Sequence, residues 1–117
     1  MMTRQPSIKL WLDDVRPAPA GWTQAWTAQE AQRLLLTHDV EEASLDHDLG
    51  ACEACLAAWD YQQDSMPHCD HVGTGYTLVC WMEETGLWPQ TPPAVHSANP
   101  VGRARMQQVI ALKWRPR

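Results

Sequence analysis

The sequence predicts one small α/β domain: a mainly parallel sheet with flanking helices and an inserted, metal-stapled loop. Three observations lead there. Short apolar runs of strand length alternate with segments of helical period, the pattern of α/β layering. A chain of 117 residues has room for one hydrophobic core and not two. Acidic residues and histidines gather where the predicted strands end, the edge at which open parallel sheets hold ligands.

Residues 9–12, apolar from Leu10 onward, are stopped by Asp13 and Asp14, which reads as a strand and then a loop. Residues 15–21 contain Pro17, Pro19 and Gly21 and are too broken for a helix. Residues 22–26 form a second strand. Thr27 caps the next helix, and Glu30 three positions on completes a capping box. Ala31, Leu34, Leu35 and His38 then recur at helical spacing. Residues 41–45 are a third strand running into Asp46-His47-Asp48-Leu49-Gly50. Residues 51–74 show no period; so long an irregular stretch in a compact domain reads as a functional or metal-stapled loop. Residues 76–85 are apolar nearly all round (Leu78, Val79, Trp81, Met82), which suits a buried helix stopped by Gly86. Residues 93–95 are a short strand ending at His96-Ser97. Asn99 then caps a last helix with Pro100 in its first position, and Met106, Val109, Ile110 and Trp114 form its buried stripe. No repeat or linker divides the chain, so residues 1–117 read as one domain with the 51–74 loop inside it.

Forty-four per cent apolar residues and seven tryptophans, with no phenylalanine, supply the core material that disordered chains lack. Trp11, Trp81 and Trp114 fall at core positions, whereas Trp22, Trp26, Trp59 and Trp88 include candidates to line a cleft. A net charge of −5 argues against general nucleic-acid or DNA binding, which needs concentrated Lys and Arg. Arg103, Arg105, Arg115 and Arg117 still make a local anion-binding patch near the C-terminus. The start lacks a signal-type apolar run and no stretch reaches the roughly 18 apolar residues of a membrane span. A cytoplasmic protein is therefore expected, in which cysteines point to metal binding or buried thiols before disulfides.

Asp13, Asp14 and Asp46 offer the hard oxygen ligands that Mg²⁺ takes, and their mutual repulsion calls for a cation. His47 and His96 are candidate proton donors and acceptors, and Asp46 and Asp48 complete the catalytic set. Strand alternation should turn Asp46 and Asp48 one way and His47 the other, and should separate His96 from Ser97, unless the chain twists on leaving the sheet. The N-terminus of the last helix is a ready anion site, so Ser97, Asn99, Gly102 and Arg103 are candidate phosphate-binding residues. Cys52-x-x-Cys55 and Cys69-x-His71 give two close ligand pairs with the spacing of a tetrahedral zinc site. His68 is an alternate ligand. Four ligands leave no open position, so the expected zinc is structural. Cys80 reads as a core thiol.

The strings LWLDDVRPAP, SLDHDLG, GTGYTLVCWMEE and VHSANPVGRARM resemble the cyclic-phosphate processing receiver domain family, over nearly the whole chain from about residue 10 to residue 106. The resemblance implies a receiver-like, flavodoxin-like fold and an activity on cyclic phosphates, RNA ends left by cleavage among them. By the same resemblance Asp13 and Asp14 match the metal-holding acids of a receiver, Asp46 its phosphoacceptor and Ser97 the hydroxyl that contacts the phosphoryl group. Two departures set it apart from a signalling receiver. The only lysines are Lys9 and Lys113, neither placed as a receiver needs, and the helix between the first two strands is missing. The expected function is phosphoesterase-like processing of an RNA 2′,3′-cyclic phosphate end or a cyclic nucleotide, a hydrolase activity of the RNA-repair kind. The alternatives are a non-catalytic module that binds a cyclic nucleotide or RNA terminus, and a degenerate response-regulator receiver.

Overall fold

A computed structural model of the chain describes residues 5–49 and 73–116. Its elements run β1 (Gln5–Leu12), β2 (Thr23–Ala25), α1 (Ala28–Thr37), β3 (His38–Leu45), α2 (Gly75–Thr85), β4 (Ala94–Val95) and α3 (Pro100–Lys113). Nearly all of the inserted loop lies outside the described residues, and with it the expected zinc ligands Cys52, Cys55, Cys69 and His71 and the alternate His68.

Local chemistry accounts for the helix boundaries. Thr27 Oγ1 accepts the Glu30 amide at 3.1 Å, while Glu30 reaches back to the Trp26 amide at 2.8 Å, one residue beyond the cap. Thr74 and Thr77 form a reciprocal capping box at the start of α2, and Gly86 ends that helix in the left-handed region at φ 74°. Asn99 Oδ1 accepts the Gly102 amide at 3.0 Å, with Pro100 in the first turn.

The four described strands are all parallel, in the order β2-β1-β3-β4. One face of the sheet presents Leu10, Leu12, Ala25, Ala43 and Leu45, all buried. These join Ala31 and Leu35 of α1, Leu78, Val79 and Met82 of α2, and Met106 and Ile110 of α3 in a single core. The described helices thus pack on that face. The alternate residues Lys9, Trp11, Glu42 and Ser44 point the other way, and Lys9 pairs with Glu42 across the strands at 3.4 Å.

Residues 13–22 join β1 to β2 without a helix, as the prolines require. Gln24 holds this connection: its Nε2 donates to the Asp13 carbonyl at 2.8 Å and its Oε1 accepts the Ala18 amide at 2.6 Å. Trp88, a cleft candidate by sequence, is a core residue at 3% exposure. Trp81 and Trp114 pack at the edge of the core. Trp11 departs from the expected core position, because it sits on the polar face of the sheet and only its flanking leucines reach the core.

Candidate functional site

Register builds the site. Leu12 pairs with Leu45, and Leu45 with Val95, so the next residue of each strand falls in one row. Backbone bonds continue the ladder through that row: Asp46 N–H donates to Leu12 O at 2.9 Å, His96 N–H to Leu45 O at 3.0 Å, and Asp13 N–H to Ala25 O at 3.1 Å. Asp13, Asp46 and His96 are thereby aligned at the carboxyl edge, beside the β1–β3 junction from which the chain winds outward in both directions.

Carboxylate oxygens of Asp13, Asp14 and Asp46 lie within 4.8 Å of one another. Asp13 is buried, at 1% exposure, and tightly held. Its Oδ1 accepts the Val15 and Arg16 amides, each at 2.8 Å, and its Oδ2 accepts from His96 Nε2 at 3.0 Å. Burial opposes its charge, but the two amides and the histidine outweigh burial and lower its pKa. Asp14 and Asp46 go the other way. Burial raises both, the negative charge of Asp13 adds to it, and the His47 amide, the Ser97 hydroxyl and His96 only partly offset the rise at Asp46. Two carboxylates pressed toward protonation beside a third that stays ionised form a donor set that fits a hard divalent cation.

That asymmetry has a sign that can be measured. A raised carboxylate pKa means the folded state binds the proton more tightly, so stability is gained as pH falls through the raised value toward the unfolded value of 3.8. The Asp13 contribution has the opposite sign and is lost only below 3.8. Metal-free Asp46→Asn should therefore melt above wild type at pH 7, with the gap shrinking as pH approaches about 4. A gap that does not change with pH, followed by thermal melts, contradicts this account of Asp46.

His47 and Asp48 do not diverge as strand alternation predicts, because the chain twists away from the sheet. His47 Nδ1 lies 2.8 Å from Asp48 Oδ1, and Asn99 Nδ2 donates to the same oxygen at 3.3 Å. The His47 ring lies where a side chain on Gly102 would be, so Gly102 makes room for a histidine. That differs from the expected close approach of phosphate. Gly75, at the start of α2, is likewise pressed against the Asp46 carbonyl, and its amide donates to His47 O at 2.9 Å.

His96 and Ser97 also converge on the acids. Ser97, 2% exposed, accepts the Asn99 amide at 3.1 Å, and its hydroxyl favours the charged form of the Asp46 carboxylate. His96 Nδ1 lies 2.7 Å from Ser44 Oγ, so both of its ring nitrogens have partners, unlike a free acid–base group. Trp11 stacks on its ring at 4.1 Å and 8°, and Trp22 meets Trp11 edge-on. At α3 the Asn99 side chain already occupies the Gly102 amide and Pro100 has none, which leaves Val101 to donate from the first turn. Arg103 reaches the Ser97 carbonyl at 3.5 Å, and Arg16 donates to the His96 carbonyl at 3.1 Å from the other side.

Ser44, Gln24, Arg16 and Trp11 are site residues that sequence reasoning missed. Ser44 carried a legible signal: a polar residue between Ala43 and Leu45 stands two positions before Asp46, on its face of the strand.

No helix among the described residues is long and apolar enough to cross a membrane. The model of a family described as cyclic-phosphate processing receiver domain matches residues 8–111 of the chain. No curated protein and no solved structure matches it.

Proposed function

The chain belongs to the cyclic-phosphate processing receiver domain family, and on that premise we propose that it is a phosphoesterase-like enzyme that opens a cyclic phosphate, carried by a nucleotide or by an RNA terminus. The observation that carries this reading is the convergence on one strand edge of the acid cluster with a histidine–carboxylate pair.

Asp13, Asp14 and Asp46 would hold the cation, which supplies charge neutralisation at the phosphate when bound. Ser97, Arg103 and the Val101 amide bind the non-bridging oxygens, and Arg16 adds positive charge at the rim. Asp48, steadied by Asn99, keeps the proton of His47 on Nδ1 and leaves Nε2 toward the reacting oxygens. Water adds to phosphorus and one ester P–O bond of the ring breaks. The proton that His47 takes from the water passes to the departing oxygen, leaving a phosphomonoester and a free hydroxyl.

³¹P NMR of the protein with 2′,3′-cyclic mononucleotides and a cyclic-phosphate-ended oligonucleotide, with and without Mg²⁺, tests the proposal. Conversion to a phosphomonoester is the expected result. Saturable binding without conversion favours a binding module instead, and phosphorylation of Asp46 by a small phosphodonor favours a receiver role.

The paired spacing of Cys52, Cys55, Cys69 and His71, with His68 as alternate, supports a structural zinc in the inserted loop. Zinc should co-purify at about one ion per chain. Elemental analysis without bound metal, or unchanged stability after strong chelation, removes this part of the reading.

A further inference from the structure

We infer that His96 is a positioning residue, clamped between Ser44 and Asp13 so that it holds the Asp13 carboxylate in the orientation the cation site needs. The inference rests on the cation site proposed above and assigns His96 a different task from proton transfer to substrate.

The ring is held at both nitrogens and on one face. Ser44 Oγ lies 2.7 Å from Nδ1, Asp13 Oδ2 lies 3.0 Å from Nε2, and the Trp11 indole covers one face at 4.1 Å. The backbone is pinned as well, its amide to Leu45 and its carbonyl to the Arg16 guanidinium at 3.1 Å. No ring nitrogen is left to meet a substrate. The hydrogen bonds also have a direction. Asp13 Oδ1 already accepts two backbone amides, as a carboxylate does, and Oδ2 is an acceptor too, so Nε2 carries the hydrogen. In the neutral ring Nδ1 is then bare and accepts the Ser44 hydroxyl.

Among the described residues Asp13 thus receives three N–H donors, two local and one from His96, just past the far strand β4. The local pair fixes Oδ1; among the described residues, only His96 fixes where Oδ2 points. Oriented carboxylates are how an outer shell tunes a metal site, and its loss typically weakens metal affinity by about 10–100-fold. Ser44 and Trp11 act one step further out, by fixing the tautomer and the tilt of the ring.

The experiment is calorimetric titration of metal-free protein with Mg²⁺ in wild type, His96→Ala, His96→Gln and Ser44→Ala, with thermal melts alongside. His96→Ala should lose affinity by about 10–100-fold. His96→Gln should recover most of it, because its amide can donate to Asp13 Oδ2, and Ser44→Ala should show a smaller loss. ¹⁵N NMR of the wild-type His96 ring should report the Nε2–H tautomer, a readout that stands even if His96→Ala fails to fold. A folded His96→Ala with wild-type affinity, or an Nδ1–H tautomer in wild type, overturns the inference and leaves the proposed function intact. Equal losses in the alanine and glutamine variants that track their melting temperatures mark a packing role and also overturn it. A wild type that binds no Mg²⁺ overturns the cation site and this inference together.

Discussion

His47→Ala should lower the rate of cyclic-phosphate opening by about 10²–10⁴-fold, the usual contribution of a positioned acid–base group. Mg²⁺ affinity should stay near wild type, since His47 bonds Asp48 and lies against Gly102 without touching the acid cluster through its ring. Asp48→Asn should give a smaller loss, because Asn99 still steadies the side chain while the partner that favours Nδ1–H is weakened. Single-turnover kinetics beside a Mg²⁺ titration separate the two effects. Wild-type turnover in His47→Ala would make the histidine a packing residue, seated in the space that Gly102 leaves open.

Asp46→Asn is expected to abolish measurable turnover and to weaken Mg²⁺ binding by about 10²-fold or more, because a unit charge pair at 4 Å is worth about 1 kcal/mol in bulk water and about 4 kcal/mol near a protein surface. The fold should survive, and the metal-free protein should gain stability, since burial and the Asp13 charge both oppose the ionised form of Asp46. These effects have opposite signs, so a destabilised variant that loses activity by unfolding is told apart by its melt. An unchanged Mg²⁺ titration in Asp46→Asn would remove the acid cluster from the mechanism.

The two expectations draw on different kinds of information. That Asp46 mattered was legible in the chain, as an acid closing an apolar strand with another acid pair closing the strand before it. That His47 and Asp48 form a pair was not, because ideal strand alternation separates adjacent side chains. Where the two meet, Gly75 docks on the Asp46–His47 backbone and Gly102 leaves room for the ring. The reason for Gly102 was likewise hidden. A glycine one turn into a helix suits phosphate approach on general grounds, and only the packed structure shows a histidine ring filling the space.

What the sequence by itself determined is local. Thr27, Gly86 and the Asn99–Pro100 pair set helix ends through bonds spanning three or four residues, and apolar runs broken by acids set the strand ends. The family resemblance in the motifs belongs to this level too, and the match over residues 8–111 bears it out. The tertiary structure alone decided the sheet order, the packing of the described helices on one face, and the row that sets Asp13 beside Asp46 and His96. The His96 bonds to Ser44 and Asp13 span 52 and 83 residues, and the Trp11 stack closes over the same ring. Contacts that distant depend on strand register, which the packing of a whole apolar face selects, so no short window of the chain encodes them.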